Sequence, residues 1–220
     1  MTISIAHRGA SGYAPENTLL AFKKAIEMKA SMIEIDVHKC LTGEIIVFHD
    51  EKINGKRIAS MSLSEIKKIF LPQKQKIPTL QEAIEVISKK AILNVELKGK
   101  GIAVQVAKII GEYIIKGWEY EHFIVSSFYY RELRQVKKEG QKIVTGLVFR
   151  GIPFGHVWLA KKIGASVIVS HRYYTTEWLV KRAKSIGLKT FVWTVNDEEE
   201  IKFFKEIKVD GIITDYPDKV

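Results

Sequence analysis

Two acidic side chains lie two positions apart in an apolar, strand-like stretch of the chain. Glu34 and Asp36 belong to the segment 31–50, SMIEIDVHKCLTGEIIVFHD, which predicts two strands joined by a turn at Thr42-Gly43. Because side chains alternate along a strand, both carboxylates point to the same side. The flanking isoleucines indicate that the strand lies in the interior, where two carboxylates repel each other and lose hydration. We therefore predict that a cation binds between them.

Other residues that could take part in binding or catalysis stand at the ends of further predicted strands: His7, Arg8, His49, Glu96, Lys98 and Trp193. Glu96 brings the carboxylates to three, and oxygen ligands without a His/Cys cluster suit Mg²⁺ or Ca²⁺ better than zinc. A cation beside Arg8 and Lys98 favours an anion, and phosphate is the natural one because arginine clamps it bidentately. His7 and His49 can divide the proton transfers of a P–O cleavage between them.

Strands and helices alternate along the whole chain. Eight strands separated by helices are predicted to begin at Ser4, Met32, Ile92, Phe123, Ile143, Ser166, Lys189 and Gly211. This alternation predicts an α/β fold, a (β/α)8 TIM barrel, as a single domain over residues 1–220. An open, doubly wound sheet is the alternative. The strand 44–49 follows the second strand too closely for a parallel crossover, so we expect a β-hairpin there, followed by a small polar insertion at about 51–77.

Composition limits the classes of protein to consider. The chain has 220 residues, 46% of them hydrophobic, and its 35 basic and 25 acidic side chains give a net charge of +10. No apolar run reaches the roughly 18 residues of a membrane span, so we expect no stable membrane insertion. The single cysteine, Cys40, fits a reducing compartment and hence the cytoplasm. The lysines are scattered, which favours a solubilising surface over a nucleic-acid partner.

Seven short motifs resemble those of the glycerophosphodiester phosphodiesterase family. They occur in the family's order: HRG (7–9), PENT (15–18), EIDV (34–37), HD (49–50), ELK (96–98), VWTVN (192–196) and GIITDYP (211–217). The resemblance implies a metal-dependent hydrolase that converts glycerophosphodiesters to glycerol 3-phosphate and an alcohol. It also implies that the motif residues Glu16 and Asn17 support the site indirectly. Asp215, which follows GIIT, is expected to close the last loop by hydrogen bonds and not to contact phosphate.

The resemblance further implies a role for each candidate residue. Glu34, Asp36 and Glu96 would hold the divalent cation. The motifs do not distinguish Mg²⁺ from Ca²⁺ as that cation. His7 and His49 would be the acid–base pair. The phosphate would be bound by Arg8 and Lys98, with Trp193 on the substrate side. The nucleophile would be either a water molecule or the neighbouring hydroxyl of the glycerol, the latter giving a cyclic phosphate.

Each feature also has a structural interpretation. Glu34 and Asp36 could pair with Arg8 and Lys98 in an ion network, Glu96 could pair with Lys98, and Trp193 could be a core residue.

Two other functions fit the same sequence. One is a lysophospholipase D-like activity on lipids, with an apolar trough from Ile69, Phe70 and Leu71 or from Tyr173, Tyr174 and Trp178. The other is a catalytically silent anion-binding barrel.

Overall fold

Eight parallel strands close into a barrel in the computed structural model, which describes residues 1–220. The chain has thirteen strands in all: β1 (Ile3–Ala6), β2 (Met32–Lys39), β3 (Ile45–Val47), β4 (Lys52–Ile53), β5 (Lys56–Arg57), β6 (Phe70–Leu71), β7 (Gln75–Lys76), β8 (Ile92–Leu97), β9 (Phe123–Ser127), β10 (Val144–Phe149), β11 (Val167–His171), β12 (Lys189–Trp193) and β13 (Gly211–Thr214). The eight that form the barrel follow one another around it in the order β1, β2, β8, β9, β10, β11, β12, β13. Because β1 pairs with both β2 and β13, the barrel is closed and the alternative of an open sheet is wrong.

Helices connect the barrel strands, as the alternating pattern predicts. The helices of the chain are α1 (Leu19–Glu27), α2 (Leu63–Ile66), α3 (Leu80–Ile87), α4 (Ala103–Ile115), α5 (Tyr130–Glu139), α6 (Phe154–Lys162), α7 (Glu177–Ser185) and α8 (Glu198–Glu206). All except α2 lie between successive barrel strands. Capping explains where several begin: the Thr79 hydroxyl accepts a hydrogen bond from the Glu82 backbone, and the Glu82 carboxylate returns one to the Thr79 backbone. The longest helix, α4, spans 13 residues, and none of the helices is long and apolar enough to cross a membrane.

A hairpin and a small insertion interrupt the barrel pattern after β2. β3 pairs antiparallel with β2, with Val47 opposite Val37, and ends two residues before His49. The following residues form two short hairpins, β4–β5 and β6–β7, around α2. They have a small core of their own, packed against the β2–β3 hairpin: Cys40, Ile46, Ile53, Ile58, Met61, Ile66 and Ile77. The insertion is therefore folded onto the barrel at the side where His49 lies.

The interior of the barrel is apolar at one end and carries polar and charged side chains at the other. Apolar side chains such as Ile5, Met32, Val167 and Phe191 fill the end where the strands begin. His7, Glu96 and Trp193 lie at the carboxyl ends of β1, β8 and β12, the end at which barrel enzymes build their sites. The pairing register places Glu34 and Asp36 of β2 at the same level, since Ile33 pairs with Ala6 and Asp36 with Glu96. We call this carboxyl end the mouth of the barrel.

Candidate active site

Three carboxylates form a tight cluster at the mouth. Glu34 and Asp36 share one face of β2, and strand pairing places Asp36 directly opposite Glu96 of β8. One carboxylate oxygen from each of the three lies within 4.8 Å of the others. Glu34 and Asp36 are buried, while Glu96 is partly exposed. Sequence spacing placed the first two together, and the register of β2 and β8 adds the third.

The cluster is electrostatically costly on its own. Burial, followed by the charges of Asp36 and Glu96, raises the pKa of Glu34 well above its usual range. Burial, and then Asp36, also raises the pKa of Glu96. A divalent cation among these oxygens would offset both the lost hydration and the mutual repulsion. The donor set is made of oxygen alone, so it fits Mg²⁺ or Ca²⁺ rather than a metal that prefers sulfur or imidazole.

Arg8 borders the cluster on the β1 side. Its Nη1 donates to both oxygens of Glu16 at 2.9 Å, and its backbone N–H donates to Glu34 Oε2 at 2.9 Å. Its Nε lies 3.2 Å from Asp36 Oδ2 without forming an aligned hydrogen bond. The next residue, Gly9, has φ +82°, and a Cβ there would come within 2.7 Å of the Ala21 Cβ. The HRG turn therefore needs glycine to pack against α1 while Arg8 faces the carboxylates.

Lys98 borders the cluster on the β8 side. Its Nζ lies 3.0 Å from Glu96 Oε1 and 3.6 Å from Asp36 Oδ1. The ion pairs that the sequence offered as a structural interpretation are therefore present, and they hold Arg8 and Lys98 beside the three carboxylates. Burial lowers the pKa of Lys98, but the charges of Glu96 and Asp36 outweigh it, so the pKa is raised and the ammonium stays charged.

Asn17 fixes the orientation of Asp36. Its side-chain Nδ2 donates to Asp36 Oδ2 at 3.0 Å, and its Oδ1 accepts from the Asp36 backbone N–H at 3.2 Å. Asn17 is buried and has φ 55°, a left-handed conformation that asparagine tolerates better than most residues. The motif residues Glu16 and Asn17 thus act on Arg8 and Asp36, as the resemblance implied, and not on the mouth directly.

His7 is held by a carboxylate from the other end of the chain. Its Nδ1 lies 2.7 Å from Asp215 Oδ1, which also accepts from the Ser11 hydroxyl at 2.8 Å. Asn196 Nδ2 donates to the second oxygen, Oδ2, at 2.6 Å. Burial alone would raise the pKa of Asp215, but these hydrogen bonds outweigh it and lower the pKa to about 2. Asp215 is therefore ionised and can only accept, so Nδ1 of His7 carries a proton.

His49 repeats this arrangement on the opposite side of the cluster. Its Nδ1 lies 2.7 Å from Asp50 Oδ1, the adjacent residue in the HD motif. Its backbone carbonyl oxygen lies 3.0 Å from Nε2 of the buried His38. His38 stands on the same face of β2 as the carboxylates, so the strand that carries Glu34 and Asp36 also anchors the loop that carries His49.

Comparisons with known proteins identify the family. The sequence model of the glycerophosphoryl diester phosphodiesterase family matches residues 7–219. The chain belongs to this family. A glycerophosphodiester phosphodiesterase of Caldanaerobacter subterraneus subsp. tengcongensis is 36% identical, over 99% of this chain and 95% of the relative. The family predicted from the seven motifs is thus confirmed, and with it the expectation of an enzyme.

Solved structures of the family share the fold. A phosphodiesterase from Oleispira antarctica, solved with the product sn-glycerol-3-phosphate, is 30% identical and superposes with a TM-score of 0.90, over 98% of this chain and 93% of that one. A glycerophosphodiester phosphodiesterase from Thermotoga maritima is 29% identical with a TM-score of 0.81, over 99% of this chain and 96% of that one. These likenesses and the closed barrel confirm the fold prediction.

Trp193 stands apart from the charged cluster, on the β12 side of the phosphodiesterase mouth. It is partly buried, and its ring makes edge contacts with His171 at 4.9 Å and Phe128 at 5.8 Å between centroids. Its indole Nε1 is buried and has no hydrogen-bond partner. A buried N–H is costly to leave unpaired. Trp193 is thus neither wholly core nor fully satisfied by the protein.

An open cleft on the hairpin side reaches Lys98, which borders the cluster. It has a volume of about 570 Å³ and is lined by His38, His49, Asp50, Glu51, Lys98, Gly99, Lys100 and Tyr129. A larger cleft, of about 670 Å³, includes Met1, Thr2 and Asp210, close to where β1 and β13 begin. It lies away from the mouth, which is where barrel enzymes place their chemistry.

Sequence reasoning did not connect Asp215 or His38 with the histidines. Asp215 was expected to close the last loop through hydrogen bonds, and the structure shows that one of those bonds goes to His7. The signal was available, since β1 and β13 are neighbours in a closed barrel and both strands end in polar residues. For His38 the signal was its even spacing from Glu34 and Asp36 along one strand.

Proposed function

We propose that this protein hydrolyses glycerophosphodiesters to glycerol 3-phosphate and an alcohol, with a divalent cation held by Glu34, Asp36 and Glu96. The observation that carries the proposal is the buried cluster of three carboxylates, flanked by two carboxylate-oriented histidines. The relative from Oleispira antarctica, whose structure contains sn-glycerol-3-phosphate, supports the choice of product. The family match over residues 7–219 supports one catalytic domain over the whole chain.

The two histidines would exchange protons through Nε2. In His7 and His49 a carboxylate occupies Nδ1, which leaves Nε2 as the nitrogen available to the substrate. One imidazole would accept, at Nε2, the proton of the attacking nucleophile, which is either a water molecule or the neighbouring hydroxyl of the glycerol. The other, protonated on both nitrogens, would give its Nε2 proton to the oxygen of the departing alcohol. Asp215 and Asp50 fix the ring orientation in both cases.

Arg8 and Lys98 would bind and orient the phosphate. Both are charged and lie at the border of the cluster. A diester phosphate that reaches the cluster would meet one of them on each side, which fixes the phosphorus relative to the histidines. A bound Mg²⁺ or Ca²⁺ would polarise a phosphoryl oxygen and stabilise the charge that develops on it. Trp193, whose side chain is partly exposed at the mouth, would line the substrate side of the site.

The lysolipid alternative keeps the same site and changes the alcohol. A lysophospholipase D of Homo sapiens is 24% identical over 98% of this chain. Tyr173 and Trp178 are exposed, as an apolar trough at the mouth would require. Phe70, the other suggested origin of the trough, is exposed in the insertion and lies under Lys76 at 3.5 Å.

The free, buried Cys40 fits the proposed cytoplasmic location.

An assay of product release separates these functions. Glycerol 3-phosphate would be measured from glycerophosphocholine and glycerophosphoethanolamine, with Mg²⁺, with Ca²⁺ and with EDTA. A lysophospholipid would be assayed in parallel. We expect release from the water-soluble diesters that EDTA abolishes and one of the two cations restores. Turnover of the lysolipid alone would move the function to a lipid phosphodiesterase, and no turnover with cation bound would leave the silent barrel.

A further inference from the structure

Exposed apolar side chains are concentrated on one side of the mouth. Six of the sixteen large hydrophobic side chains that the structure leaves exposed lie in two short segments after β10 and β11: Ile152, Phe154, Trp158, Tyr173, Tyr174 and Trp178. We call these six residues the rim. Ile152, Phe154 and Trp158 are 73%, 67% and 63% exposed. A water-facing cluster of this kind marks an interaction surface, since single exposed apolar residues are normally scattered.

The rim is one surface and it reaches the candidate active site. Phe154 and Trp178 bring the two segments together, with ring centroids 4.7 Å apart. Tyr173 lies 5.0 Å from the His171 ring, which in turn makes the 4.9 Å edge contact with Trp193. Aromatic contacts therefore link the rim residue Tyr173 through His171 to Trp193 at the mouth.

The rim lies in one of the two most basic stretches of the chain. Residues 128–182 contain 11 Lys and Arg against three Asp and Glu, a net +8, and residues 52–108 carry the same net charge with 12 against four. Of the three acids, Glu132 accepts from the backbone at the start of α4, and Glu177 pairs with Lys181. The Nζ of Lys162 lies 4.7 Å above the Trp158 ring. The ion pairs of this region belong to Arg172 and Lys181, so Lys162 has no carboxylate partner.

We propose that the rim docks the mouth of the barrel on an anionic phospholipid bilayer. The rim combines tyrosine and tryptophan with other apolar side chains. Tyrosine and tryptophan are enriched at membrane interfaces, because there the ring is buried while its polar atom stays hydrated. Lys162, above the Trp158 ring, and Arg172, whose guanidinium carbon lies 4.9 Å from the Tyr173 ring centroid, complement the negative surface of such a bilayer. The proposal goes beyond the hydrolysis itself: it states where the enzyme works and which way its mouth faces. It favours diesters released at, or held in, the membrane surface.

A binding experiment without turnover tests the proposal. The full chain would be sedimented with vesicles of phosphatidylcholine alone, and with vesicles containing about one third phosphatidylglycerol. We expect the protein to pellet with the anionic vesicles and to be released by high salt, which screens surface charge. The triple variant Ile152→Ser, Phe154→Ser, Trp158→Ser should lower the partition coefficient at least tenfold. No difference between the two vesicle types would overturn the proposal.

Matched variants separate the rim from general effects. Ile115→Ser with Phe203→Ser removes exposed apolar side chains elsewhere, at positions that are 88% and 47% exposed. This control should pellet like the wild type, and an equal loss in it would refute the role of the rim. Lys162→Glu should weaken binding more than Lys202→Glu, which changes the net charge equally. Equal losses would contradict charge complementarity at the rim.

Two readouts keep the outcomes distinct. Turnover of glycerophosphocholine in solution should be the same in wild type and rim variants, which shows that the variants fold. If the wild type binds anionic vesicles but hydrolyses no diester, docking stands while the proposed function fails. If rim variants lose affinity for a single-stranded oligonucleotide while no form binds vesicles, the surface serves nucleic acid and the docking proposal is wrong.

Discussion

Replacing Asp215 by asparagine tests how His7 is held. The carboxylate accepts at both oxygens: His7 and Ser11 donate to Oδ1, and Asn196 donates to Oδ2. An amide has only one accepting oxygen. Asn196 cannot turn its own amide, because its Oδ1 already accepts from the Thr214 hydroxyl and the Asp215 backbone. The new side chain would therefore keep its oxygen towards Asn196 and present its NH₂ to His7.

The expected consequence is the wrong tautomer of His7. An NH₂ group facing Nδ1 makes that nitrogen an acceptor, which moves the ring proton to Nε2. If His7 is the base, an imidazole protonated at Nε2 cannot take a proton there; if His7 is the acid, an NH₂ group at Nδ1 opposes the doubly protonated ring. In either role we expect kcat to fall by about 10²–10⁴-fold, the range of general acid–base catalysis. Imidazole ¹⁵N NMR would report the tautomer directly. Asp218→Asn is the control, since its carboxylate accepts from Tyr13 and not from His7.

Asp215→Asn should also cost stability in a defined pH range. A carboxyl whose pKa falls from its usual 3.8 to about 2 contributes roughly 2 kcal/mol when ionised. Because the folded pKa is the lower one, this contribution is present above pH 4 and is lost as the pH falls through about 2. Urea unfolding of wild type and variant should thus differ by roughly 2 kcal/mol at pH 6, less at pH 3. Unchanged kcat with an unchanged tautomer would refute the reasoning.

Three further substitutions test the other proposed roles. His49→Ala should abolish turnover while calorimetry still detects Mg²⁺ or Ca²⁺ binding; wild-type turnover would remove His49 from the mechanism. Glu96→Gln should raise the cation concentration needed for half-maximal activity at least tenfold, since one of three charged ligands is lost, and an unshifted requirement would contradict the ligand assignment. Lys98→Ala should lower kcat/KM for a diester about 10–100-fold because a phosphate contact is lost. If Lys98→Ala changes only the urea midpoint, its pairing with Glu96 is purely structural.

The barrel was predictable because each element carried a local signal. Strand starts agree with the observed bounds to within one residue, as for Ser4 against Ile3 and Ile143 against Val144. The hairpin was also predictable, since only a few residues separate β2 from β3 and a parallel crossover needs a dozen or more. Its second strand is shorter than predicted, ending at Val47 and not at His49. Such ends depend on neighbouring chain segments, which a local pattern does not contain.

The candidate site was predictable in composition but not in its connections. Strand alternation placed Glu34 beside Asp36 without any structure. The partner of His7 is 208 positions away in sequence, so only closure of the barrel brings Asp215 to it. The engagement of Arg8 with Glu16 likewise depends on the turn at Gly9. Contacts between loops follow from the register of a whole barrel, and no single motif specifies that register.

The most direct test of the account is which bond of a diester the protein breaks. Phosphorus NMR would follow glycerophosphocholine mixed with the wild-type protein, first with EDTA and then with excess Mg²⁺ or Ca²⁺. We predict no change with EDTA and, with cation, replacement of the diester signal by the monoester signal of glycerol 3-phosphate alone. Formation of phosphocholine, or turnover that is equally fast in EDTA, would contradict the account.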